Sequence, residues 1–168
     1  MSQMKTRPIA EAPKRQVKAH PARAVSAPDK LGIVESFVRR PACSMPLTTS
    51  LLIGALTDGL SICEVEELRR SLGMPMEKLL PILGISKATF HRRKKTGSLD
   101  LSESDRVVRY ARLLGAAVEV MESIGNARLW LTSPQVGLGG AVPLEYAETE
   151  VGAREVESLL GRIEHGVY

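Results

Sequence analysis

Aromatic side chains are scarce in this 168-residue chain, where one Trp, three Tyr and two Phe make up 4% of the whole. A core must therefore be built from Leu, Val, Ile and Ala. No stretch approaches the roughly eighteen consecutive apolar residues of a membrane span. No apolar run follows Lys5 and Arg7, so a secretory signal is not expected either. The two cysteines, Cys43 and Cys63, have no Cys or His near enough to complete a metal site. Unpatterned cysteines without a signal point to reduced thiols and a cytoplasmic setting. Sustained strand alternation is missing too, which leaves an all-α fold.

Catalytic groupings are equally thin. Gly137-Leu138-Gly139-Gly140 has no Lys-Ser/Thr after it and no strand before it, so it reads as a loop and not as a phosphate cradle. His165 adjoins Glu164, but neighbours on a helix point in different directions, and no nucleophile with a supporting base lies nearby. His20 and His91 fall in other regions, and Met74, Met76 and Met121 read as core filler. An enzyme is the least supported class, and no cofactor or metal is expected.

What is present begins with charge asymmetry. Residues 1–40 carry nine Lys/Arg against three Asp/Glu, residues 41–96 eight against five, and residues 97–168 six against eleven. A basic front and an acidic back suggest a polyanion for the first two-thirds and a different partner for the last. Residues 1–40 read as a basic, largely disordered tail, with four prolines and little to bury before Leu31. One or two amphipathic turns are expected at 31–40, before Pro41.

From Leu47 the signals are helical. Ser61 and Glu64 have the spacing of a capping box. Ile62, Val65, Leu68 and Leu72 form one face until Gly73 ends the helix. Pro75 suits the first turn of a helix over 75–83 that closes at Gly84, and another helix runs from Ser86 to about Lys95. Ser102-Glu103-Ser104-Asp105 opens a long helix, 102–124, striped by Val107, Ala111, Leu114, Val118 and Met121. Arg106, Arg109, Arg112, Glu119 and Glu122 fall mostly off that stripe. Gly125-Asn126 is read as the break before a short helix, 127–132. A Gly-rich loop, a helical piece at 143–147 and a last helix at about 150–164 follow, the last burying Val156, Leu159, Leu160 and Ile163.

The densest signal lies at residues 79–95. Gly84 suits a tight turn, Ile85 plugs the angle between two helices, Ser86 caps the second and Phe90 packs it inward. Lys87, Thr89, His91 and Arg92 remain for solvent, followed by Arg93, Lys94 and Lys95, with no acid between 86 and 95. A recognition helix needs this combination: polar groups for base edges and cations for phosphates. Ser86, Lys87, Thr89, His91, Arg92, Arg93, Lys94 and Lys95 are the candidate DNA contacts, with Arg92 and Arg93 among the main ones. Pro81 is the discordant residue, because a proline within the first helix removes a backbone bond.

The order Gly-Ile-Ser-x-x-Thr-x-x-Arg resembles the turn and recognition helix of bacterial helix-turn-helix regulators. Over residues 45–168 the chain resembles the Xre/MbcA/ParS antitoxins. The resemblance is carried by Leu138-Gly139-Gly140-x-x-Pro143-Leu144, by Glu150-x-Gly152-Ala153-Arg154-Glu155-Val156, and by the run Leu160 to Tyr168. The tail at 1–40 falls outside it; for the rest it implies a helix-turn-helix DNA-binding domain at 41–98 and a small helical toxin-binding domain at 99–168. It also implies a RES-type, NAD-degrading toxin as partner, blocked at its active site by the C-terminal segment, and repression of the protein's own operator DNA. The toxin-facing residues would be Arg154, Arg162, Glu164, His165, Val167 and Tyr168, with Gly166 as a flexible hinge. Arg162 would pair with toxin carboxylates, and the Tyr168 ring would stack in the dinucleotide pocket. A homodimer within a larger toxin–antitoxin complex is expected, with the 102–124 stripe as one possible contact. The alternative is a stand-alone transcription regulator whose C-terminal domain only dimerises.

Overall fold

Residues 101–121 carry an apolar group at nearly every helical position that can face a neighbour, and the chain folds around them. The computed structural model describes residues 32–38 and 48–167. The predicted tail up to residue 31, the stretch 39–47 and Tyr168 lie outside the described residues. The elements in order are α1 (Ile33–Val38), α2 (Thr49–Asp58), α3 (Cys63–Leu72), α4 (Met76–Ile82), α5 (Lys87–Thr96), α6 (Leu101–Met121), α7 (Ile124–Thr132), α8 (Pro143–Tyr146) and α9 (Glu150–Glu164). The architecture is all-α, and no described helix is long and apolar enough to cross a membrane.

The central element is α6. Val107, Tyr110, Ala111, Leu113, Leu114 and Ala117 are fully buried because α1, α2, α3, α7 and α9 all pack on this helix. The first three positions of the stripe expected along it are therefore internal, while Val118 and Met121 are half-buried. Val107, Ala111 and Leu114 face the chain's own core and are closed to a second subunit. α1 crosses α6 at Gly115, where a Cβ would stand 2.6 Å from the Phe37 carbonyl oxygen. Val34 of α1 is completely buried, so residues 33–38, grouped with the tail by composition, belong to the core.

Two helix starts differ from those the spacing suggests. At α6 the cap is Asp100, not Ser102: its carboxylate accepts from the Glu103 N–H at 2.8 Å, and Glu103 accepts from the Asp100 N–H at 2.9 Å. This reciprocal pair satisfies two donors that the first turn leaves open. The box expected at Ser61 and Glu64 does not form. Ile62 stands at the cap position, and Glu64 reaches thirty residues back to accept from the N–H groups of Ile33 and Val34 at 3.0 and 2.9 Å. It caps α1 instead. The break after α6 also falls earlier than Gly125-Asn126. Glu122 takes a left-handed conformation, φ 56°, and Ser123 caps α7, so both residues of that pair lie inside the new helix.

The last third closes onto α6 through charge and one buried hydroxyl. Arg109 pairs with Glu150 and Asp105 and donates to the Glu148 carbonyl, while Arg112 pairs with Glu157 and Glu150. Burial pushes the Glu150 carboxyl up, but Arg154, Arg112 and Arg109 together outweigh it and hold it below the ordinary glutamate value. The Tyr110 hydroxyl donates to the Leu144 carbonyl at 3.3 Å, and burial pushes its pKa up to about 12. The Gly-rich loop packs on α9, where a Cβ at Gly137 would stand 2.5 Å from a Leu159 methyl. Gly54 in α2 and Gly161 in α9 have no such neighbour within 4 Å. Each costs its helix about 1 kcal/mol relative to alanine.

The Glu64 carboxylate caps α1, and its bonds are charge-assisted. Glu64→Ala should lower unfolding free energy by about 1–2 kcal/mol, the usual effect of losing a cap. Urea denaturation measures this, and an unchanged midpoint would show that α1 is held by packing alone.

Candidate nucleic-acid interface and partner-binding surface

The turn between α4 and α5 is built by backbone bonding around one glycine. Gly84, at φ 62°, lets its own N–H reach the Pro81 carbonyl at 2.8 Å and the Ile85 N–H reach the Leu80 carbonyl at 2.9 Å. These two bonds close α4 in a Schellman motif. Pro81 sits exposed in the last turn of the seven-residue α4, where the backbone bond it removes is the one to Glu77 and the closing bonds of the turn still form. Ile85 and Phe90 are buried as plug and anchor, 3% and 5% exposed. The Ser86 hydroxyl accepts from the Thr89 N–H at 3.0 Å, which starts α5. One contributor was not legible in the sequence. Arg106 of α6 donates to the Leu83 carbonyl at 2.6 Å and fixes the turn to the central helix.

The candidate contacts on α5 divide into two sets. Lys87, His91 and Lys95 recur four apart along one row, beside Ala88 and Arg92, and all five are exposed, with the His91 ring edge-on to Phe90 at 6.5 Å between centroids. Lys87, Arg92 and Lys95 have no ion-pair partner among the described residues. The others have partners within the chain. Ser86 and Thr89 bond each other at 2.9 Å, so Thr89 is half-buried rather than presented. Arg93 lies between Asp100 and Glu103 at 2.7 Å from each, and the Glu103 interaction foremost raises its pKa further. Lys94 sits 4.8 Å over the Phe90 ring and 3.4 Å from Glu66. Arg93 thus joins the end of α5 to the start of α6, a positional role that its place in a basic run did not reveal. Lys78 of α4 is an exposed cation without an ion-pair partner among the described residues, and the reading of the motif passed it over.

On α9 the buried face carries Gly152, Ala153, Val156, Leu159 and Leu160. Its solvent face presents Val151, Arg154, Glu155, Ser158, Arg162 and His165 at helical spacing. Arg154 pairs with Glu150 at 3.3 Å, and Arg162 folds back to Glu155 at 3.5 Å and to the Ser158 hydroxyl at 3.3 Å. Glu164, His165 and Val167 are exposed, whereas Tyr168 lies outside the described residues. Gly166 is not a hinge in this structure. At φ 65° it closes α9, with the Val167 N–H on the Arg162 carbonyl at 2.9 Å and its own N–H on Ile163 at 3.2 Å. Among the described residues, no group of three or more His, Cys, Asp or Glu is arranged to hold a metal ion.

Residues 52–112 match the family described as the antitoxin Xre-like helix-turn-helix domain. Residues 116–166 match the antitoxin Xre/MbcA/ParS C-terminal toxin-binding domain. The two matches meet inside α6. A protein of Yersinia enterocolitica named Antitoxin Xre is 34% identical over 121 residues, 71% of this chain and 82% of that protein. Another of that name from Photorhabdus laumondii is 32% identical over 114 residues, 67% and 77% of the two chains. A Sphingobium protein named Prs ADP-ribosylating antitoxin is 23% identical over 126 residues, 69% and 79%.

The division of α5 has a measurable consequence. Arg93→Ala should lower the thermal midpoint, because it leaves Glu103 nearly buried without its cation. Lys87→Ala, Arg92→Ala and Lys95→Ala should leave that midpoint in place. Each should weaken binding to duplex DNA and reduce the slope of log affinity against log salt by about 1. The reverse pattern would mean that the open row of α5 does not meet phosphate.

Proposed function

Since the chain belongs to the Xre antitoxin family, we propose that it neutralises a RES-domain toxin that degrades NAD, occluding the toxin's active site with its C-terminal segment, and represses its own operon through α5. The observation that carries this reading is the pairing of two separate surfaces on one core. One is the open row Lys87, His91, Lys95 with Arg92 beside it, a cationic face of the length and exposure that a DNA groove requires. The other is the polar end of α9 within the stretch matched to a toxin-binding domain. Arg154, Arg162, Glu164, His165, Val167 and Tyr168 are the residues assigned to the toxin, and residues 41–98 and 99–168 the two functional regions. The capped end of α9 supports a fixed projection in place of a swinging one, so the plug would enter the toxin as a preformed helix end.

The active form in this proposal is a cytoplasmic homodimer within a larger complex, because one recognition helix reads only half of a paired site. With Val107, Ala111 and Leu114 of the α6 stripe internal, the exposed apolar residues Leu51 and Ile53 of α2 offer the better subunit contact. The protein itself needs no cofactor and performs no chemistry in this scheme. The Sphingobium relative's name favours a second reading of the toxin, in which ADP-ribose is transferred to a protein. Both reactions draw on NAD. Mass analysis of modified proteins in poisoned cells separates them from simple depletion.

Co-expression with the RES-domain toxin tests the proposal. The full chain should co-purify with the toxin and restore growth and NAD levels. Deleting residues 166–168 should leave helical content and DNA binding nearly intact and impair protection. If the shortened chain protects as well as the full one, the C-terminal segment is not the plug.

A further inference from the structure

Of the ten residues in α5, Ala88 carries the one apolar side chain that is left exposed. Its direction follows from the anchor of the helix. Successive helical residues are about 100° apart, so those two before and two after the buried Phe90 stand about 160° from it. These are Ala88 and Arg92, which point most directly away from the core. Ala88 also lies in the first turn of α5, the half of a recognition helix that addresses base edges.

The groups around Ala88 are committed elsewhere. The hydroxyls of Ser86 and Thr89 bond each other at 2.9 Å, and Ser86 accepts from the Thr89 N–H at 3.0 Å. Lys87 precedes Ala88 and Arg92 follows one turn on, long cations with reach to the phosphates along a groove. Between them stands a methyl group, which neither donates, accepts nor neutralises charge. In the major groove the base feature that matches it is the 5-methyl group of thymine, which cytosine and both purines lack. So short a side chain also lets the helix descend far enough for two methyl groups to touch.

We propose that Ala88 is a base-reading residue of α5 and selects a thymine in each half-site by methyl contact. The proposal rests on the DNA-binding reading above and names a base that the cations alone do not choose. The probe is a duplex that the full chain selects from a random-sequence library. Replacing its thymines one at a time by deoxyuridine removes only the 5-methyl group. One such replacement in each half-site should weaken binding about fourfold, the worth of one buried methyl. In Ala88→Gly the thymine and uracil duplexes should bind alike, whatever general loss the glycine brings to the helix. Ala88→Gln keeps a good helix former, and selection with it should return adenine at that position. Lys95→Ala should weaken both duplexes equally and preserve the fourfold ratio. An undiminished ratio in Ala88→Gly, or a selected duplex in which no thymine is sensitive to loss of its methyl group, would overturn the proposal. A full chain that selects no sequence from the library would instead overturn the DNA-binding reading itself, before any variant is made.

Discussion

A helix that buries Val107, Tyr110, Leu113 and Leu114 completely cannot meet water along that length without losing roughly 6–12 kcal/mol of transfer free energy. That is comparable to the whole stability of an ordinary domain. Five helices must therefore stay on α6 together, and the placement of every surface follows from how each is attached. The start of α6 is fixed by the reciprocal Asp100–Glu103 cap, and Arg93 brings the end of α5 to the same two carboxylates. Arg106, one turn on, holds the turn that precedes α5. The recognition helix is thus suspended from the first two turns of α6, while α9 is tied through Arg109 and Arg112 farther along. A family boundary that falls inside this helix is the expected outcome when one element serves two functions.

The same attachments decide which charges are available. Arginines that the composition counts toward a nucleic-acid or toxin surface are held by carboxylates of the fold: Arg93 by two, Arg109 by two, Arg112 by two. The cations left over on α5 are Lys87, Lys95 and, beside them, Arg92, so its free basic surface is narrower than the basic run suggests. On α9 the ion pairs lie along the helix and across to α6.

Local chemistry was legible in the sequence at several helix ends and faces, though not at the Asp100 cap of α6 or the Ser123 cap of α7. Gly73, Gly84 and Gly97 end helices at positive φ, Ser86 caps α5, and the buried faces of α3 and α9 follow their apolar spacing. The family resemblance gave a helix-turn-helix domain followed by a toxin-binding domain, which the two family matches bear out. Long-range partnerships were not legible. Nothing near Glu64 says that its carboxylate serves α1 rather than its own helix, and the Ser61 spacing satisfied the capping pattern without the geometry. Arg93 looked like one more cation because its acidic partners come seven and ten residues later, across a turn. Glu122 escaped notice since a left-handed conformation is uncommon outside glycine and asparagine.

If one core carries both surfaces, the DNA-binding and toxin-binding halves must unfold together. The single tryptophan, Trp130, lies in α7 against the core on the toxin-binding side, whereas far-ultraviolet ellipticity reports all the helices. Urea unfolding followed by both signals in one sample tests the claim directly. The account predicts coincident transitions with one midpoint and one slope. A Trp130 transition displaced from the ellipticity curve, or an ellipticity curve in two steps, would show two independently stable halves and contradict it.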